Sequence, residues 1–171
     1  RRNLELTKSM MNGEKRHSLL WVVDKTKTAM GKRMIRSWIE RPLMSVNQIT
    51  KRQNAIGELA DNPIKRDKIR NSLAGISDIE RLTSRIAYGT ANAKELKALQ
   101  NTLKRLPEIK AEVSENASAL LKDIEKNIDL LSDVEDLIDK AIVDEPPFTL
   151  REGGMIKQGY HAEIDSLHEI M

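Results

Sequence analysis

Apolar residues recur at spacings of three and four along most of the chain, the signature of helices with one buried face. Residues 26–42 carry it most clearly. Met30, Met34, Ile35, Trp38 and Ile39 share one side at about 100° per residue, and Lys32, Arg33, Arg36 and Glu40 take the other. Thr26 or Thr28 can cap the start, because a threonine oxygen accepts from a free first-turn N–H. Pro42 stops the helix by lacking an N–H and by pushing Arg41 out of the α region. Gly31 lies in the apolar arc, where it costs about 1 kcal/mol against alanine. The sequence therefore predicts a core helix with a basic outer face, in which another helix or strand approaches Gly31. Trp21 and Trp38 are its expected anchors.

Around this stretch the other elements follow in order. Residues 3–7 alternate and predict a short strand, Asn12-Gly13 a turn, and residues 18–24 a short buried helix. Ser45-Val46-Asn47-Gln48 has the capping-box form and opens a helix carrying Ile49, Ile56, Leu59 and Ala60. Asn62-Pro63 restarts it, asparagine as cap and proline at the first helical position; Ile64, Ile69, Leu73 and Ile76 continue, and Gly75 ends it. Ser77-Asp78-Ile79-Glu80 is a second capping box, before Ile79, Leu82 and Ile86. Gly89 supplies a left-handed helix end. Thr90 then opens a helix with Leu96, Leu99, Leu103 and Leu106, which Pro107 kinks or ends. Shorter periodic pieces cover 109–115 and 120–131. Ser132-Asp133-Val134-Glu135 is a third capping box, leading Val134, Leu137, Ile138, Ala141 and Ile142 up to Pro146-Pro147. Phe148-Thr149-Leu150 reads as extended, a candidate partner for residues 4–6. Gly153-Gly154 is a turn, Gly159 a flexible point, and Tyr160, Ile164, Leu167 and Met171 hold helical spacing to the last residue.

Composition agrees with helices. The 171 residues are 32% charged and only 3% aromatic, with eight glycines and five prolines. That length allows one domain with a sizeable core, or two small ones. The fold class expected is mainly α: a multi-helix bundle with at most a small two-stranded β element near 3–7 and 148–151. The absence of cysteine excludes disulfides, thiolate chemistry and thiolate zinc sites. No apolar run approaches the roughly 18 residues of a membrane span, no signal peptide is visible, and a reducing cytoplasm fits. The chain opens without methionine and closes inside a periodic helix, which reads as a piece of a larger protein.

Charge adds an asymmetry beneath the net +3. Residues 1–110 carry 24 Lys and Arg against 11 Asp and Glu, and residues 111–171 carry 5 against 15. Either the two parts attract each other or a neighbour, or the basic part touches nucleic acid. Lys32, Arg33, Arg36, Arg41, Arg81 and Arg85 are the candidate phosphate contacts. No aromatic residues interleave with them to stack bases, and no docking motif is present. The cations are spread through helices, which favours a solvated or partner-facing surface.

Catalytic chemistry has no visible constellation. His17, His161 and His168 form no spaced set, although His161 and His168 can share a helix face with Asp165; a structural metal would need four ligands. No GxxxxGK[ST] loop exists, and Gly153-Gly154 lacks the lysine and hydroxyl residue that would cradle nucleotide phosphates. Glu135-Asp136 reads as a solvated acidic face. The expected catalytic, cofactor-binding and metal residues are therefore none.

Several blocks resemble the bacterial MutS family of DNA mismatch-recognition ATPases. They include Arg1-Arg2-Asn3-Leu4-Glu5-Leu6, then Ser18-Leu19-Leu20-Trp21-Val22-Val23-Asp24. Thr28-Ala29-Met30-Gly31-Lys32-Arg33-Met34 follows, with Trp38 and Arg41-Pro42-Leu43. Arg52-Gln53 with Ile56, Asp78-Ile79-Glu80-Arg81-Leu82 with Arg85-Ile86-Ala87, and Leu106-Pro107-Glu108 come next. Ala141-Ile142-Val143-Asp144-Glu145-Pro146-Pro147 and Arg151-Glu152-Gly153-Gly154-Met155-Ile156 follow, then Gly159-Tyr160 and Glu163-Ile164-Asp165. Each block alone is weakly specific; the ordered set covers nearly the whole chain.

The resemblance implies the helical core and lever region of such a protein, residues 1–171 forming one domain and 155–171 a truncated lever helix, with the helix of residues 26–42 a packing hub. It implies a non-catalytic segment coupling a DNA-binding clamp to an ATPase domain, both outside this sequence. The mismatch-reading domain also lies elsewhere, so no functional residue of the family is carried onto this chain. ATP and magnesium belong to the parent by resemblance. Its implied partners are mismatched duplex DNA and a second MutS-type subunit, with no membrane. The alternative is an autonomous helical nucleic-acid-binding module using the basic residues of 1–110. On the lever reading, the stripe from Tyr160 to Met171 is expected to expose apolar surface.

Overall fold

A computed structural model describes residues 4–170, without the side chains of 168–170. Ten α-helices lie in it: α1 (Leu19–Val23), α2 (Ala29–Glu40), α3 (Val46–Asp61), α4 (Pro63–Leu73), α5 (Ile79–Ala87), α6 (Ala93–Leu103), α7 (Leu106–Ser114), α8 (Ala119–Asn127), α9 (Ser132–Ala141) and α10 (Ala162–Ile170). The mainly α class holds, and no sheet forms among the described residues. Contacts group into two compact units. One holds the chain up to Asp78 together with Glu108–Ile128; the other holds Ile79–Pro107 and the chain from Asp129 on. The sequence reading treats the whole as one domain.

In the first unit, Ala55 of α3, Val113 of α7 and Leu121 of α8 are buried against Leu59, Ile69 and Leu120. Asn62 caps α4, its Oδ1 accepting from the Lys65 N–H at 3.1 Å, with Pro63 in the first turn. Glu58 of α3 caps α8 from outside: its carboxylate accepts from the backbone N–H groups of Ala117 (2.6 Å) and Ser118 (2.8 Å). Those two bonds hold the Glu58 carboxyl below its ordinary pKa. Ser18 caps the short α1, accepting from Trp21 N–H at 3.2 Å, and Leu20 is buried.

Helix α2 differs from its prediction. Thr28 is the cap, with Oγ1 accepting from Gly31 N–H at 3.0 Å, and the amphipathic stripe is present. Yet no residue of α2 is buried; Met34 is 56% and Trp38 41% exposed. The expected core helix and packing hub is a surface helix lying against α1. Gly31 is not approached by another helix or strand. A Cβ there would sit 3.0 Å from Thr28 Oγ1 and 3.4 Å from Thr26 Cβ, so the close neighbour is the helix's own capping segment. Neither tryptophan is a core anchor. Trp21 is exposed, and Trp38 carries the Arg52 guanidinium 3.5 Å from its ring centroid, a cation–π cover.

The second unit is built on Leu82, Ala93, Leu99, Leu103, Ile138 and Ile142, with Leu96, Val134, Met155 and Ile156 around them. Helix α5 ends as expected. Gly89 has φ +65°, its N–H reaches Ile86 O and Thr90 N–H reaches Arg85 O, both bonds of a Schellman end. The cap of helix α6 lies two residues after the predicted Thr90. Asn92 Oδ1 accepts from Glu95 N–H (2.9 Å) and Glu95 Oε2 from Asn92 N–H (3.0 Å), a capping box that the sequence reading overlooked.

The predicted capping boxes at Ser45 and Ser132 do not form, although α3 starts where expected. Ser45 occupies the cap of α3 without a side-chain cap bond. Ser132 is the first residue of α9, whose cap is Leu131 in left-handed geometry at φ 50°. The expected strand pair is replaced by local structure. Glu5 and Leu6 carbonyls accept from the N–H groups of Leu19 and Leu20, and Leu150–Glu152 forms a 3-10 turn. An isolated antiparallel bridge instead joins Ile142 and Ile156. The last helix starts at Ala162, because Gly159 (φ 82°) breaks the chain before it and donates its N–H to the Asp165 carboxylate. Tyr160 and Leu167 are exposed, while Met171 lies outside the described residues.

Candidate functional site

The distinctive chemistry lies on the packing face of α6 and α9. Leu99 and Leu103 of α6 meet Ile138 and Ile142, the hydrophobic reason these two helices pair. Beside that stripe runs a polar one, because Lys97, Gln100 and Lys104 recur at spacings of three and four. Gln100 is fully buried. Its Nε2 donates to Asp139 Oδ1 at 2.6 Å and to Glu135 Oε1 at 3.2 Å. Lys104 Nζ lies 3.3 Å from Asp139 and 3.5 Å from Glu135. Lys97, also buried, reaches Asp144 at 3.1 Å, and Lys157 stands 3.9 Å from Asp139 and 3.8 Å from Asp144. Residue numbers rise on α6 as they fall on α9, so the helices run antiparallel.

Electrostatics follow the contacts. The amide of Gln100, then the ammonium groups of Lys104 and Lys157, hold the Asp139 carboxyl below its usual range. Lys97 does the same for Asp144, and Asp139 raises Lys104. Such a seam can orient and register two helices. It offers no nucleophile and no free base. The Gln100 Oε1 is buried without a partner, which leaves one acceptor of the seam unused.

The predicted phosphate contacts are mostly engaged with acids. Arg33 pairs with Asp78 through two bonds of 2.7 and 2.8 Å, a fork-to-fork geometry. Arg36 bonds Glu40 at 2.9 Å one turn away, Arg85 forms an ion pair with Glu95 at 2.7 Å, and Arg81 is also engaged. Lys32 and Arg41 make no ion pair among the described residues. The histidines do not converge. His17 lies beside Trp21 at 5.6 Å between centroids, His161 precedes α10, and the side chain of His168 lies outside the described residues. Asp165 is occupied by Gly159 rather than set between the histidines. Glu135 belongs to the seam, not to the solvated face predicted for it, whereas Asp136 is exposed.

Two glycines, Gly153 (φ 68°) and Gly154 (φ 65°), form a turn but supply no phosphate cradle. A pocket of about 420 Å³ opens nearby, lined by Leu96, Ile142, Phe148, Met155 and Ile156. Its polar side chains are already used: Thr90 donates to Arg85 O and Asn92 caps α6. No group of three or more metal-ligating side chains gathers among the described residues, and no helix there is long and apolar enough to cross a membrane.

The seam was within reach of sequence reading. Its signal is the second three-and-four stripe of Lys97, Gln100 and Lys104 beside the leucines, facing carboxylates one turn apart at Glu135 and Asp139.

Comparison with known proteins matches residues 1–171 to the family described as MutS domain III. A DNA mismatch repair protein MutS from Lachnoclostridium phytofermentans is 50% identical over 169 residues, 99% of this chain and 18% of that protein. Those from Symbiobacterium thermophilum (47% over 170 residues, 99% and 19%) and Alkaliphilus oremlandii (45% over 168 residues, 98% and 19%) follow. The chain thus spans about a fifth of the length of these curated relatives. A match along the whole chain, at this identity and in one order, carries one conclusion: the chain belongs to the MutS domain III family.

Proposed function

We propose that this chain is a non-catalytic segment of a DNA mismatch repair protein that couples a DNA-binding clamp to an ATPase domain. The observation that carries the reading is the antiparallel α6–α9 pair, packed on one stripe and cross-linked along the next by Gln100 and Lys104, with Lys97 tied to Asp144 just beyond α9. Packed helices move as units between discrete arrangements, so a pair registered in this way transmits displacement instead of absorbing it. The exposed apolar faces of α1 and α2 support the same reading, because Leu19, Val22, Met34 and Trp38 offer a surface suited to a further part of a larger assembly. ATP, magnesium, mismatched duplex DNA and a second MutS-type subunit would engage that assembly outside this chain.

Autonomous nucleic-acid binding is the competing reading. The engagement of Arg33, Arg36 and Arg85 by carboxylates weighs against it. Purified alone, the 171-residue chain is expected to hydrolyse no ATP and to bind duplex DNA more weakly than micromolar at physiological salt. ATP turnover would contradict the non-catalytic reading; micromolar, salt-dependent binding would favour the module.

A further inference from the structure

Three of the four donors of the α6–α9 seam stand between two acceptors, and the fourth, Lys97, meets Asp144 alone. Gln100 Nε2 bridges Glu135 and Asp139, Lys104 Nζ bridges the same two, and Lys157 lies between Asp139 and Asp144. Glu135 and Asp139 are four residues apart, one turn of α9. The apolar contacts repeat with the same step: Leu99 and Leu103 on one helix, Val134, Ile138 and Ile142 on the other. A slide of one turn therefore replaces the apolar contacts and those of Gln100 and Lys97 by ones of like kind, and gives up those of Lys104. Resting on the coupling function above, we propose that α6 and α9 form a two-register ratchet, in which α9 moves one turn so that Glu135 takes Gln100 and Asp139 takes Lys97.

What changes hands favours two comparable states. Lys97, whose side chain is 11% exposed, exchanges the 83%-exposed Asp144 for the more enclosed Asp139; Lys104, half exposed, is released to water. An exposed ion pair is cheap to surrender. At the N-terminus of α9, Leu131 holds φ 50° without a side-chain cap bond, a joint that a change of backbone angles can relieve. At the other end, Lys157 N–H bonds Ala141 O (2.9 Å) and Val143 N–H bonds Met155 O (3.0 Å). Residues 155–157, which lead into α10, thus travel with α9. Movement of α10 has a backbone route to the ratchet.

The test uses the full-length protein carrying this chain, with spin labels at Lys94→Cys and Asp133→Cys. Both positions are exposed, and in antiparallel helices they stand roughly 20 Å apart along the axis. Pulsed electron resonance is recorded nucleotide-free, with ATP, and with mismatched duplex. The ratchet predicts a second distance shorter by about 5 Å, one helical pitch, whose population changes between states. A single distance in every state, or a shift of only 1–2 Å, overturns it. If ATP hydrolysis still responds to mismatched DNA in that case, coupling stands and only the ratchet falls. Lys97→Met removes the partner that the second register needs. It is expected to abolish the short distance while the protein stays folded, and persistence of that distance also overturns the proposal.

Discussion

Asp24 shows how far one side chain is committed to its surroundings. The Lys15 ammonium, then the Thr26 hydroxyl, donate to its carboxylate and lower its pKa from 3.8 to about 2. A carboxyl depressed by folding contributes stability fully present above its unfolded pKa and lost as pH falls through the folded one. The junction after α1 is therefore expected to loosen between about pH 4 and pH 2, followed by the fluorescence of Trp21. Asp24→Asn should remove that acid transition. At Gly89 the backbone itself is the constraint. An alanine at φ +65° pays about 1–2 kcal/mol for left-handed geometry, to be read as faster hydrogen exchange of the last α5 amides. Gly89 and Asn62-Pro63 were legible beforehand because their roles are decided within three or four residues of chain. Gly31 was not: a crowded glycine announces a neighbour without naming it, and the neighbour was Thr28.

For elements, periodicity identified the helices but not which of their faces the fold covers. Helices α2 and α6 both carry an apolar stripe, yet α2 has no buried residue and α6 holds Leu103 at 2% exposure. The energetic consequence is direct. Leu103→Ala should cost about 2–5 kcal/mol as lost burial plus cavity, whereas Met34→Ala should stay within about 0.5 kcal/mol. Hydrogen exchange of the corresponding helix amides compares the two in one protein. Two predicted cap bonds failed for a related reason. Ser45 and Ser132 satisfy the capping-box spelling, but a cap depends on chain geometry that the spelling leaves open; Leu131 holds the cap of α9 and Glu58 reaches across to cap α8. The strand expected over residues 3–7 rested on a short alternation, and its pairing on the extended reading of residues 148–150; the isolated bridge formed between Ile142 and Ile156 instead.

At the level of the whole molecule, two compact units divide the charge. The chain up to Asp78 with 108–128 carries 20 Lys and Arg against 13 Asp and Glu; the remainder carries 9 against 13. The family was legible because many weak blocks in one order are jointly specific. The seam was passed over because polar residues at helical spacing ordinarily face solvent, and only the packing of α9 shows that these do not. That seam is where a coupling function should be most sensitive. Glu135→Gln with Asp139→Asn keeps the shape of the side chains and removes the charges that register α6 against α9. In the full-length protein, the decisive measurement is ATP hydrolysis with and without mismatched duplex DNA. The account predicts basal turnover and DNA binding within about threefold of the parent, with the response to mismatched DNA reduced at least tenfold, about 1.4 kcal/mol of lost coupling. An undiminished response in the double variant would contradict it.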